Sequence, residues 1–339
     1  MDNKQKTYTL IKEVGTKGVS SSQIAEELNV TRAYAQRIAR QLITEGLVIA
    51  IGNGPSSRYV SATENISPEK LYSRLVKRGG LDEDIVYKEI VEKAKLLIDE
   101  TRNVQSIFRY AFTEMLNNAI EHSESQKIKM EIKSEKEIIR FTIRDWGIGL
   151  FNNIQKKMKL SGIEDAIAEV TKGKITTMPA RHSGEGIFFT SRVVDSLAIR
   201  SSGKEIIFNN RVNDVFLKNT KIDKGTLIIC TIDKNASRDI TSVFRSYTNQ
   251  AYEFNKTEIL VKLFAIGGEK EYISRSQARR ILEGLNKFSK IILDFNGVDS
   301  VGQGFVHEIF IVWANDHKDV AIGHRNANEN IEFMIRRAK

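Results

Sequence analysis

This sequence has little that would suit export or membrane insertion. It contains one cysteine, Cys230, so no internal disulfide can form and nothing in its cysteine usage argues for an oxidising compartment. No run approaches the ~18 consecutive apolar residues that a membrane helix needs. The opening stretch MDNKQKTYTL has none of the apolar core of a secretory signal. Three prolines (Pro55, Pro68, Pro179) are too few for a proline-rich linker. There is no low-complexity tract and no internal repeat. The expected compartment is the cytoplasm, with no membrane partner.

What is present fits a folded, multidomain chain. At roughly 100–200 residues per domain, the 339 residues imply two or three domains. A hydrophobic share of 41% and a charged share of 28% supply more than one core. The net charge of +9 permits an anionic partner such as nucleic acid. It does not demand one, because the basic residues are spread along the whole chain.

Residues 1–62 read as three short helices and a hairpin. Leu10, Ile11 and Val14 give the first helix an apolar face. Ser21 or Ser22 caps the second, where Ile24, Ala25 and Leu28 recur at helical spacing. Thr31 caps the third, whose inner face carries Tyr34, Ala35, Ile38, Ala39, Leu42 and Ile43, and Gly46 ends it. Leu47–Ile51 and Arg58–Val60 read as strands around Gly52-Asn53-Gly54-Pro55. Residues 63–100 read as a polar helical connector. A mixed helix and strand region covers 101–240. Strand and helix alternate over 250–339, with Ile291-Ile292-Leu293 as a buried strand.

Four short segments carry chemistry. Phe108, Ala111, Phe112, Met115, Leu116 and Ala119 form one apolar helical stripe. Glu114 and Asn118, four apart, share another face of that helix. A carboxylate there can act as a general base, and an amide oxygen one turn on can ligate Mg²⁺. Alone, the pair is what many solvated helix faces show. Ile139, Phe141 and Ile143 alternate with polar residues as a half-buried strand running into Asp145-Trp146-Gly147-Ile148-Gly149. A carboxylate at a strand end can accept from an exocyclic amine, and glycines let backbone approach a flat ligand. Arg181-His182-Ser183-Gly184-Glu185-Gly186 then enters a helix, the arrangement that suits phosphate. Gly225-Thr226 opens the apolar strand Leu227–Ile232.

In this order the segments resemble the GHKL superfamily, which includes gyrase B, histidine kinases, the mismatch-repair ATPase and anti-sigma serine kinases. Glu114-x-x-x-Asn118 resembles the N-box, Asp145-x-Gly147-x-Gly149 the G1 box, Gly184-x-Gly186 the G2 box, and Gly225-Thr226 the late glycine-threonine strand. The likeness spans residues 95–235. It implies a Bergerat-type α/β sandwich binding ATP and Mg²⁺. In it Asp145 reads the adenine amine, with Thr226 in support. Asn118 holds the metal, Gly184 and Gly186 line the phosphates, and Glu114 is the base if ATP turns over. Residues 150–183 are then the ATP lid, with Gly162 and Gly173 placed to let it bend. The G2 segment is nearest to that of the anti-sigma serine kinases, with His182 where they have arginine and Arg181 one place earlier to supply the charge. An orthodox histidine kinase is not expected, because the first histidine, His122, lies within the N-box helix.

The flanks carry resemblances of their own. Residues 1–62 resemble a winged helix-turn-helix. That implies a recognition helix over 31–45 bearing Arg32, Gln36, Arg37 and Arg40, and a wing with Arg58 near a phosphate. Leu293–Phe305 resembles a STAS-like domain, more narrowly those of unknown function fused to GHKL ATPases. Gly302-Gln303-Gly304 stands at the turn where true antagonists carry the phosphorylated serine, and Ser300 lies before it. The expected architecture is therefore α+β, with a GHKL domain between a winged helix and a small STAS-like α/β domain. The expected function is an ATP-responsive regulator with DNA, a protein partner or a second copy of itself as partners. The alternatives are a serine/threonine kinase acting on a STAS domain, a slow ATPase, or a scaffold that binds ATP without hydrolysing it.

Overall fold

Side-chain caps start the first helices. Asp2 accepts from the backbone of Gln5 at 2.7 Å and opens α1 (Asn3–Val14). After β1 (Val19–Ser20), Ser20 and Gln23 form a reciprocal capping box for α2 (Ser21–Glu27), so the cap falls one residue before the expected serines. Thr31 caps α3 (Arg32–Thr44). Strands β2 (Val48–Ile51) and β3 (Arg58–Ser61) complete an antiparallel sheet of order β1-β3-β2. Ile11, Ile24, Ala35, Ile38 and Leu42 pack as its core, whereas Ile43, expected on the inner face, is exposed.

The structure is a computed structural model and describes residues 2–15, 18–45, 47–51, 57–61, 70–92, 96–174, 184–264 and 271–338. The chain divides into two compact units. One comprises Met1–Lys70 with Lys133–Lys136, the other Leu71–Ile132 with Glu137–Lys339.

The larger unit is built on a seven-stranded sheet. In chain order its elements begin with β4 (Lys70–Lys77), α4 (Glu83–Glu92), α5 (Arg102–His122), β5 (Lys127–Ser134), β6 (Ile138–Asp145), α6 (Leu150–Met158), α7 (Ile163–Lys172) and α8 (Gly186–Val193). Then follow β7 (Ser196–Ser201), β8 (Lys204–Asn209), β9 (Asp214–Asn219), β10 (Thr226–Asp233) and α9 (Ile240–Tyr247). The strand order is β4-β5-β6-β10-β7-β8-β9, and β10 runs antiparallel to both β6 and β7. Alternate residues of β6 and β10 are buried, and the apolar stripe of α5 packs into the same core.

One expectation needs correction here. The described part of 63–100 is helical only in part: α4 is a helix as expected, but β4 is a sheet strand, and Val86, Ile90, Leu96 and Leu97 are in the core. Of the expected ATP lid, residues 150–183, positions 175–183 lie outside the described residues. The described part contains α6 and α7, which bury Phe151, Ile154, Ala166, Ile167 and Val170 in the core. Amphipathic helices with this much apolar surface are held by packing.

The C-terminal part adds β11 (Lys256–Leu260), β12 (Glu271–Tyr272), α10 (Arg275–Leu282), β13 (Lys290–Asp294), β14 (Ser300–Val301), α11 (Gln303–His307), a π-helical turn over Glu308–Trp313, α12 (Ala314–Asp316), β15 (Ala321–Arg325) and α13 (Glu329–Ala338). β11, β13 and β15 form a parallel sheet, and β12 pairs with β14. The strand expected at Ile291–Leu293 is β13. Its core includes Phe188 and Phe189 from α8 and Ala168 from α7. Among the described residues no helix is long and apolar enough to cross a membrane.

Candidate functional site

The site is assembled at the C-terminal end of α5. That helix is capped at its start by Thr101 and buries Phe108, Ala111, Phe112, Met115 and Leu116. Its last turn is fastened by Ser123, whose hydroxyl donates to the Ala119 carbonyl at 2.5 Å and accepts from the Ser125 amide at 3.1 Å. The loop after β6 docks on this end. Ile148 N–H donates to the Ser123 carbonyl at 2.9 Å, and Trp146 N–H to the Ser125 hydroxyl at 3.1 Å. Gly147 is needed because a Cβ there would lie 1.6 Å from the Ser123 carbonyl oxygen. The missing side chain of Gly147 thus makes room for α5, not for a ligand.

Asp145 ends β6 and is 3% exposed. Its Oδ1 accepts from Gly147 N–H at 2.9 Å. Burial raises its carboxyl above the ordinary 3.8, while hydrogen bonds from Gly147 and Thr226 and the charge of Arg144 act the other way. On the neighbouring strand β10, the Thr226 hydroxyl accepts from Leu150 N–H at 2.9 Å. It thereby caps α6, whose own N-cap is Gly149 at φ +84°. A Cβ on Gly225, at φ +71°, would lie 2.3 Å from the Asp145 carbonyl oxygen. The glycines of these segments therefore close the loop against α5 and β10.

The result is a small cleft lined by Asp145, Asn118, Thr226 and His122 among apolar walls such as Ile143 and Ile187. A few polar groups converging in an apolar cleft is the usual form of a small-molecule site. Glu114 lies to one side. A Cβ on Gly186 would lie 2.1 Å from its Oε2, so the carboxylate abuts the first residue of α8, where the helix dipole favours negative charge. Burial, with the charges of Glu114 and Glu185, pushes the Tyr110 phenol up.

The structure thus gathers Asn118, Asp145 and Thr226 on one pocket and brings Glu114 to Gly186. Gly184, at φ +71°, precedes α8. Arg181 and His182 lie outside the described residues. Sequence reasoning missed His122, which is four places after Asn118 and on the same helix face, and the Ser123 and Ser125 hydroxyls that bind the loop to the helix. The i, i+4 spacing from Asn118 is a signal that could have found His122, but the serines acquire meaning only from contacts made on folding. Among the described residues no group of three or more His, Cys, Asp or Glu side chains could hold a metal ion. A divalent cation here would share Asn118 with the oxygens of a ligand.

In the smaller unit Arg32, Arg37, Arg40 and Arg58 are exposed and Gln36 is half-buried. Arg37 lies over the Tyr34 ring at 4.8 Å, Arg32 Nε donates to the Ser21 hydroxyl at 3.2 Å, and Arg58 donates to the Gly18 carbonyl at 2.9 Å. Arg32, Arg37 and Arg58 are oriented by these contacts while staying open to solvent.

No curated protein matches the chain. Two family profiles do: residues 76–209 match the histidine kinase-like ATPase domain, and residues 277–332 match the STAS-like domain of unknown function. The first match spans α5, the Asp145 loop and α8, and the second runs from α10 into α13. The chain therefore carries a histidine kinase-like ATPase domain followed by a STAS-like domain.

Proposed function

We propose that this protein is an ATP-binding regulator whose nucleotide site controls a winged helix-turn-helix head and the STAS-like domain. The convergence of Asp145, Asn118 and Thr226 on one apolar-walled pocket carries this reading. The residues suit the ligand. A buried carboxylate at a strand end accepts the exocyclic amine of adenine, and the walls take the ring. The α8 N-terminus, entered through Gly184 and Gly186, has the dipole and the close backbone approach that suit phosphates. Asn118, one turn past Glu114, is placed to hold Mg²⁺ together with those phosphates. Bound Mg²⁺ would neutralise phosphate charge, while Glu114 is the group available to take a proton from an attacking water.

Calorimetry with Mg-ATP tests the reading: one site per chain is expected, and a folded protein that takes up neither ATP nor ADP would sink it. Glu114→Ala should keep nucleotide uptake. If ATP turns over, the same change should slow phosphate release by at least about a hundredfold, the scale of a lost general base. Equal release by both proteins would remove Glu114 from the chemistry.

The head is read as a DNA-binding module through α3, with Arg32, Gln36, Arg37, Arg40 and Arg58 toward the duplex. Regulation follows only if ATP binds two states of the protein with different free energies. Mobility-shift titrations with and without Mg-ATP should therefore give different affinities. Arg37→Ala and Arg40→Ala should each weaken binding across sequences and reduce the salt slope by about one for each phosphate that is no longer neutralised. Salt-independent binding would count against the head's role.

The kinase alternative draws less support from the STAS-like domain. Ser300 lies in β14, paired with Glu271. A Cβ on Gly302 would lie 2.8 Å from the Ile273 carbonyl oxygen, so the turn after Ser300 is covered by backbone.

A further inference from the structure

Helix α7 carries Asp165, Glu169 and Lys172 at i, i+4 and i+7, a polar stripe that on an isolated helix would face water. Here the stripe is largely buried: Lys172 is 0% exposed and Glu169 is 8% exposed. Lys172 Nζ pairs with Glu169 Oε1 at 2.5 Å. It also donates to the backbone carbonyls of Glu283 at 2.9 Å and Arg280 at 3.4 Å, at the C-terminal end of α10, where a helix favours a cation. Arg280 Nε lies 3.7 Å from Asp165 Oδ1. The Lys172 carbonyl accepts from the Thr257 hydroxyl of β11 at 2.6 Å. The end of α7 is thus held by the STAS-like region through both side chain and backbone.

Helix α8 is held from the same side. The Phe188 ring lies 4.6 Å from Phe254, which lies 5.3 Å from Phe288. Phe189 stacks on Phe244 at 4.1 Å, and Phe244 meets Tyr110 edge-on at 5.3 Å. Tyr110 is one turn before Glu114 on α5. At its other end α8 begins at Gly186, against the Glu114 carboxylate. One continuous set of packed groups therefore joins the STAS-like core to the face of the ATPase domain read above as the phosphate end. The Asp145 pocket meets this set at Ile187 of α8, whereas Asp145 itself stands on β6.

We infer that the STAS-like region fixes where the end of α7 and the start of α8 stand, and so sets the preference for ATP over ADP, with Lys172 as the positioning residue. This rests on the ATP-binding reading. ATP and ADP share everything at Asp145 and differ only in the terminal phosphate. A displacement confined to the end of α7 and the start of α8 acts most on the phosphate side and leaves Asp145 on β6 and Thr226 on β10 in place, so it changes the ratio of the two affinities. A lysine that serves stability alone would lower the unfolding temperature and leave that ratio unchanged.

The test titrates the full-length protein, Lys172→Met and the double variant Glu169→Leu/Lys172→Met with Mg-ATP and with ADP, and records thermal unfolding of each. The double variant leaves no unpaired charge buried, so it keeps the test open if the single one fails to fold. ADP affinity should stay within about twofold, while the ATP:ADP affinity ratio falls at least about fivefold, the lower end of ordinary coupling between sites. An unchanged ratio in folded variants overturns the inference. Failure of the ATP reading looks different, because the unmodified protein would then take up neither nucleotide.

Discussion

Asp145→Asn should give a folded protein that no longer takes up ATP. The substitution conserves volume, and the amide oxygen can keep the bond that Gly147 N–H makes to Oδ1. With that oxygen retained, the new NH₂ group faces the adenine amine, donor against donor. The loss combines a charge-assisted bond, about 1.5–3 kcal/mol, with two unpaired donors, so the affinity should fall at least about a hundredfold. Two effects on stability oppose each other: asparagine lifts the cost of a buried charge, and its NH₂ cannot accept the hydrogen bonds that Thr226 gives the carboxylate. Burial holds the Asp145 carboxyl above its ordinary value, so the folded state binds this proton more tightly than the unfolded chain. The ionised group therefore opposes folding above that raised value, and the penalty disappears as the pH drops below the ordinary 3.8. Asparagine removes the penalty but loses the bonds from Thr226, so urea unfolding at neutral pH should show stability within about 1 kcal/mol of the unmodified protein. Nucleotide affinity of the unmodified protein should decline with acidification earlier than an ordinary aspartate would dictate. An Asp145→Asn protein that binds ATP normally would show that the carboxylate reads nothing.

Gly147→Ala is expected to have the largest effect on the fold. The added carbon would lie 1.6 Å from the Ser123 carbonyl oxygen and 2.9 Å from the Ser125 amide nitrogen, both of them backbone. No rotamer change relieves that. Either the loop lifts off α5, breaking the Ile148–Ser123 and Trp146–Ser125 bonds, or the helix end frays. A cost of at least about 3 kcal/mol follows, at the upper end of overpacking, with loss of the pocket. Gly79 is the control: a Cβ there meets nothing within 4 Å. Gly79→Ala should be neutral or stabilising by up to about 1 kcal/mol. Equal denaturation midpoints for the two variants would show that the loop does not depend on this contact.

Much of the pocket was legible from local pattern. The stripe Phe108–Ala119 has helical period, so it determines which face of α5 is buried and leaves Glu114 and Asn118 on another. The alternation Ile139–Ile143 places Asp145 at a strand end. Capping residues such as Thr31 and Asp2 announce their helices without help from the rest of the chain. The roles of the glycines were legible only in part. Their positions were visible, but what fills the space beside Gly147 and Gly225 is backbone from Ser123 and Asp145, which only the fold supplies.

By itself the sequence determined what depends on near neighbours: periodic faces, caps, and the order of the polar and glycine segments. Tertiary structure decided whatever depends on a distant partner. β4 is a strand because β5 pairs with it, although its own residues are polar enough for a connector. α6 and α7 bury their apolar faces because the sheet and β11 pack against them. Lys172 reads in sequence as one more solvated lysine, yet it lies fully buried because Glu283 and Arg280, more than a hundred positions on, present their carbonyls to it. A charge can leave water only when such partners are assembled around it, and no window of local sequence contains them.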